Sequence, residues 1–119
     1  MTELASRLRA DLSTAMRERD RDTIRVLRTV LSALANAEAQ PVEDAPAAGL
    51  ASGPIAGASR GLGATEAARR DLDGDQVRAI VCAERDERVA AADDLARRGA
   101  PQAAADLMAE VAVLDRYLL

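Results

Sequence analysis

Apolar residues recur along most of this chain at steps of three and four, the spacing of one face of an α-helix. In residues 3–19 they are Leu4, Leu8, Leu12, Ala15 and Met16. Thr2 is placed to cap the helix start, and Glu3 complements the positive end of its dipole. A second stripe over residues 22–39 runs Ile24, Leu27, Leu31, Leu34, with Val26, Val30 and Ala33 beside it. Asp20 or Asp22 caps that helix, and its wide apolar face predicts a central position. Asp73 and Gln76 form a capping-box pair ahead of a third helix, 75–98. Its stripe is Val77, Ile80, Val81, Glu84, Arg88, Ala91, Ala92 and Leu95. Arg97-Arg98-Gly99 is a stop signal, and Pro101 suits the first turn of a fourth helix, 101–118, burying Ala104, Leu107, Val111, Leu114 and Leu118. Short links at 19–22 and 99–101 predict antiparallel neighbours.

Residues 40–72 break every periodicity. Pro41, Pro46, Pro54 and five glycines from Gly49 to Gly63 predict a long loop, mobile and tolerant of deletion, with one short helical turn at Thr65. The expectation is therefore all-α: one domain over residues 1–119, a small bundle of about four helices with a long Gly/Pro/Ala-rich loop between the second and third.

Composition narrows the chemistry. The chain has 119 residues and is 49% hydrophobic, with no Phe, no Trp and one Tyr. Its core must come from Leu, Val, Ile and Ala. All 16 basic residues are Arg, and there is no His. The net charge of −4 is unlike the basic excess of a nucleic-acid binder, so DNA is not an expected partner. Only residues 1–40 lean basic, with seven Arg against six acids. Cys82, the single cysteine, has no intramolecular disulfide partner. The N-terminus lacks the apolar core of a signal peptide, and no apolar run approaches the ~20 residues that span a membrane. A cytoplasmic protein without a membrane partner is the expectation.

The run Gly57-Ala-Ser-Arg-Gly61-Leu-Gly63 has the glycine spacing of the phosphate-binding turn in short-chain dehydrogenases. That turn needs a buried strand before it and a helix after it. Here the preceding residues include Gly49, Gly53 and Pro54, which exclude such a strand. The Tyr-x-x-x-Lys of those enzymes is also impossible without lysine. The run reads as loop.

Taken together, the helices resemble the GatB/YqeY domain family. The first block is Leu4-x3-Leu8-x3-Leu12-x2-Ala15-Met16-Arg-x-Arg-Asp20, then Val26-Leu27-Arg28 and Glu38. The second is Leu72-x4-Val77-x2-Ile80-Val81-x2-Glu84-x3-Arg88, continuing through Gly99 to Glu110-x3-Leu114-x2-Tyr117-Leu118. The resemblance covers roughly residues 2–40 and 72–119. It departs at Leu95 for a usual aromatic, Ala100 for Arg, Leu107 for Glu, and Leu119 for the proline leading into a second helical domain. The resemblance implies a helical fold related to the tail of the B subunit of the tRNA-dependent amidotransferase. It also implies an association with carbon–nitrogen ligase activity with glutamine as amido-N-donor, and with tRNA or the amidotransferase subunits as partners.

Chemistry by the chain alone is poorly served. Glutamine hydrolysis needs an activated nucleophile, and with neither His nor Lys no such base is available. Cys82 sits mid-helix between Val81 and Ala83, and Asp71, Asp73 and Asp75 read as capping and solvated acids. No catalytic, metal or cofactor-binding residue is assigned, and no cofactor is expected. Glu84 and Arg88 interrupt an apolar face four residues apart, which predicts an ion-pair network with Arg28, Glu38 or Glu110 that sets helix register or binds a partner. Tyr117 is expected as an amphipathic plug whose hydroxyl reaches water. Arg9, Arg17 and Arg25, among the N-terminal arginines, are the candidate RNA contacts, because Arg pairs well with phosphate. Acids interleave with them, and without Lys or aromatic stacking groups the expected contact is weak and backbone-directed, not single-strand RNA binding. Against the RNA reading stands a structural or regulatory protein–protein interaction domain, including a homo-oligomer through the apolar face of residues 24–34.

Overall fold

The computed structural model describes residues 2–40 and 70–119. Four helices follow in order: α1 (Glu3–Glu18), α2 (Arg21–Glu38), α3 (Gly74–Arg97) and α4 (Pro101–Asp115), with no strand among the described residues. The expected loop at 40–72, its turn at Thr65 and the glycine run at 57–63 lie largely or wholly outside the described residues. At the edges of that segment, the Arg70 N–H donates to the Glu38 carbonyl at 2.7 Å.

The helices start where their capping chemistry says. Thr2 accepts from the Ala5 N–H at 3.1 Å. Asp20, not Asp22, caps α2, taking the Thr23 N–H at 3.2 Å and its hydroxyl at 2.7 Å. Those two bonds hold the Asp20 carboxyl below its ordinary range. Asp73 and Gln76 satisfy each other's backbone N–H groups at 2.8 Å, the complete capping box. The first three helices match their predicted spans to within a residue. The fourth ends at Asp115 rather than 118, because Tyr117 and Leu118 turn back to bond Leu114 and Asp115. This tighter winding sets Tyr117 against α1.

Two helical hairpins, α1–α2 and α3–α4, pack together, and α2 touches all three other helices. The core joins Leu8 of α1, Val26, Leu27, Val30 and Leu34 of α2, Val77 and Val81 of α3, and Val113, Leu114 and Tyr117 from the C-terminal end. The apolar face at 24–34 is therefore largely consumed inside the monomer, with Ile24 and Leu31 half-buried. Ala91, placed in the α3 stripe from sequence, is exposed, whereas Val113, which that reading omitted, is buried. The helix twist carries the apolar seam past Ala91 to Ala92, buried apart from the main core along with Ala104 and Val111. No helix among the described residues is long and apolar enough to cross a membrane.

Both hairpins turn on the same motif. Past the end of α3, Gly99 adopts φ +82°, its N–H donates to Ala96, and the Ala100 N–H reaches back to Leu95 at 2.9 Å. Past the end of α1, the Arg19 and Asp20 N–H groups bond Met16 and Ala15 in the same pattern, but the left-handed residue is Arg19, with φ 56°. A residue with a Cβ pays for that conformation, by about 1–2 kcal/mol. Arg19→Gly should therefore raise stability by about 0.5–1 kcal/mol, after allowing for glycine's greater unfolded-state freedom. Gly99→Ala should lower it by about 1 kcal/mol through the backbone alone, since an added Cβ there meets nothing within 4 Å. Chemical denaturation of the two variants checks both signs.

Candidate functional site

The charges that interrupt the α3 stripe form a chain across three helices. Arg88 Nη1 lies 3.0 Å from Glu84 Oε1, and Arg88 Nε lies 2.9 Å from Glu110 Oε1 on α4. Glu110 Oε2 continues to Arg25 Nη2 on α2 at 3.3 Å, and Arg25 reaches Asp22 at 3.0 Å. Arg88 also donates to the Glu84 carbonyl at 2.9 Å. The inner members are well covered, with Arg88 12% exposed and Glu110 14% exposed, while Arg25 is 58% exposed. Burial works against the Arg88 charge, and the hydrogen bonds that Arg88 donates to Glu110 and Glu84 more than offset it, so the guanidinium stays charged.

Of the residues expected in this network, Glu84, Arg88 and Glu110 are brought together, and Arg28 and Glu38 are not. Glu38 lies thirteen residues along α2 from Arg25, about 20 Å at 1.5 Å per residue. It lines a separate cavity of about 220 Å³ with Arg9 and Asp71. Arg25, expected to contact RNA, takes the place expected of Arg28 because it faces Glu110. A double-mutant cycle should measure about 1–2 kcal/mol of coupling for Arg88 with Glu110, and under about 0.5 kcal/mol for the more exposed Arg25 with Glu110.

Tyr117 is buried, and its hydroxyl does not end in water: it donates to Asp11 Oδ2 on α1 at 2.6 Å. The Arg7 guanidinium sits 5.2 Å from the ring centroid, and Arg78 donates to the Leu118 carbonyl. The C-terminal turn is thus tied to both α1 and α3. Burial and the Asp11 carboxylate push the Tyr117 hydroxyl well above its ordinary value of 10.0. A raised folded value means that this group's contribution to stability is present below pH 10 and is lost as pH rises further. With one Tyr in the chain, absorbance at 295 nm follows this group alone. The native titration should begin well above pH 10, and Asp11→Asn should bring it down.

Of the candidate RNA contacts, Arg9 and Arg25 line different cavities, and Arg17 lies between them in sequence. Arg9 lines the cavity beside Glu38, and Arg17 donates to Thr14 at 3.1 Å. Helix geometry separates Arg9 from Arg17 by about 12 Å along α1. The structure gathers a different set. An open groove of about 740 Å³ at the α1–α2 corner is lined by Arg19, Arg21, Arg25 and Arg28, with Met16, Ile24 and Thr29. Its signal was present in the sequence: Arg21, Arg25 and Arg28 are spaced four and three apart, and the two-residue link sets Arg19 beside them. Among the described residues, Arg19 and Arg21 have no acidic side-chain partner, and Arg28 Nη2 lies 4.0 Å from Met16 Sδ. Met16 is 48% exposed.

Asp73 caps α3 and Asp75 sits in its first turn, so these acids serve the helix start. Among the described residues, no group of three or more His, Cys, Asp or Glu is placed to hold a metal ion. Cys82 is half-buried on α3. What the groove can do chemically is hold an anion. Comparisons of the chain with protein-family models, with curated proteins and with solved structures return no match.

Proposed function

We propose that this protein is a non-catalytic helical module that contacts tRNA through the groove at the α1–α2 corner. The reading follows the resemblance to the GatB/YqeY domain and the link that this resemblance implies to the tRNA-dependent amidotransferase, a carbon–nitrogen ligase with glutamine as amido-N-donor. The observation that carries it is the gathering of Arg19, Arg21, Arg25 and Arg28 on one open surface. Guanidinium groups pair with phosphate in a planar, forked geometry. The remaining surface carries the acidic excess of the chain, so the interaction is local, weak and directed at the backbone. The rival reading, a regulatory protein-interaction domain without RNA contact, draws on the exposed Met16 in the same groove and Met108, 46% exposed, on α4.

A titration of labelled bulk tRNA at low and near-physiological salt tests the proposal. Binding should weaken with salt at a slope of roughly −2 to −4 on logarithmic axes, the range for a few neutralised phosphates. Arg21→Glu with Arg28→Glu should abolish it. Arg97→Glu, on the other hairpin, should leave it unchanged. No binding at low salt overturns the reading and leaves the protein-partner alternative.

A further inference from the structure

We infer that the groove at the α1–α2 corner is built for an unpaired nucleotide, with the base on its apolar floor and the flanking phosphates on its arginine rim. The inference rests on the RNA reading above and deepens it.

The floor is the first observation. Met16 and Ile24 line the groove together with the arginines, and the Arg28 guanidinium is held beside Met16 with its Nη2 4.0 Å from the sulfur. A paired A-form duplex offers a protein phosphates, 2′-hydroxyls and base edges, while its base faces are stacked away. Such a backbone would satisfy Arg19 and Arg21 but would set charged phosphates over an apolar floor. An unpaired nucleotide matches both parts. Its base has an apolar face to lay on Met16 and Ile24, and the planar guanidinium of Arg28 adds a stacking partner that an ammonium cannot supply. The volume, about 740 Å³, falls in the range that admits a small organic ligand.

The backbone of Arg19 is the second observation. It is the one non-glycine residue with positive φ among the described residues, and it stands where Gly99 stands in the other hairpin. The turn would form more easily with glycine, so the side chain is kept at a cost in stability. Arg19 lines the groove. Backbone strain maintained at a position that faces a ligand surface marks a side chain held for binding.

The test compares two synthetic RNA hairpins of the same stem, one blunt and one with a four-nucleotide single-stranded 3′ extension carrying a terminal 2-aminopurine. The extended hairpin should bind about tenfold more tightly, with a change in 2-aminopurine fluorescence on binding. Met16→Ala, at an exposed position, should shrink the preference to about threefold or less without altering the affinity for the blunt stem. Arg19→Gly should weaken binding of both hairpins about fivefold or more while its unfolding midpoint rises, which separates a lost contact from a damaged fold. Equal affinity for the two hairpins overturns the unpaired-nucleotide inference and leaves the RNA reading standing. Binding of neither hairpin overturns both. Undiminished binding by Arg19→Gly removes Arg19 from the site and overturns the strain argument. Displacement of both RNAs by a glutamate- and leucine-rich peptide at lower concentration than competing RNA assigns the groove to a protein partner and overturns the inference.

Discussion

Val26, Leu27, Val30 and Leu34 form a face of α2 that has almost no contact with solvent, and α1, α3 and α4 all reach it. Every other feature of the bundle depends on that shared burial. The chain has no Phe or Trp to fill space, so side chains of Leu and Val must interlock closely, and each lost methylene leaves a void. Where the helices meet farther from this centre, alanine takes over. Ala92 on α3 and Ala104 on α4 are buried there, and so is Val111, outside the main cluster.

Charge then specifies what apolar packing leaves loose. Apolar attraction is non-directional, so burial of Leu and Val does not by itself choose which turn of one helix meets which turn of the next. The pairing of Arg88 with both Glu84 and Glu110 does choose, because a shift of one turn would strand a half-buried charge. Tyr117 does the same just past the C-terminal end of α4. Its ring belongs to the core while its hydroxyl finds Asp11, so the C-terminal turn has a single seat on α1. Arg25 belongs to both charged features of the bundle. It closes the ion-pair chain through Glu110 and also lines the arginine groove, so occupancy of the groove and the α2–α4 contact share one guanidinium.

The two hairpin corners differ in the residue that takes the left-handed position. They share one hydrogen-bonding pattern, yet one is closed by Gly99 and the other by Arg19. The glycine corner has the backbone that the motif favours. The arginine corner carries strain and lies on the surface where cations gather. Local cost at a surface position is affordable because the buried face of α2 supplies cohesion elsewhere.

Much of the fold was legible from residues alone. The four helices, the caps at Thr2 and Asp73, Pro101 at the start of α4 and the left-handed Gly99 all follow from local rules, because periodicity and capping act within one or two turns. The wide face of α2 also declared its central place. The seat of Tyr117 was not legible, because Asp11 lies 106 residues away and no local rule links them. Nor was the choice between Arg25 and Arg28 as partner of Glu110, which depends on how α2 is rotated against α4. The groove was half legible. The spacing of Arg21, Arg25 and Arg28 marks one side of a helix, but only the corner at Arg19 and Asp20 brings Met16 and Arg19 to it. Sequence by itself determined the helices and their ends, since these depend on neighbours along the chain. Tertiary structure decided which charges meet and which remain exposed, since that depends on helix rotation and approach set by the packing of the core.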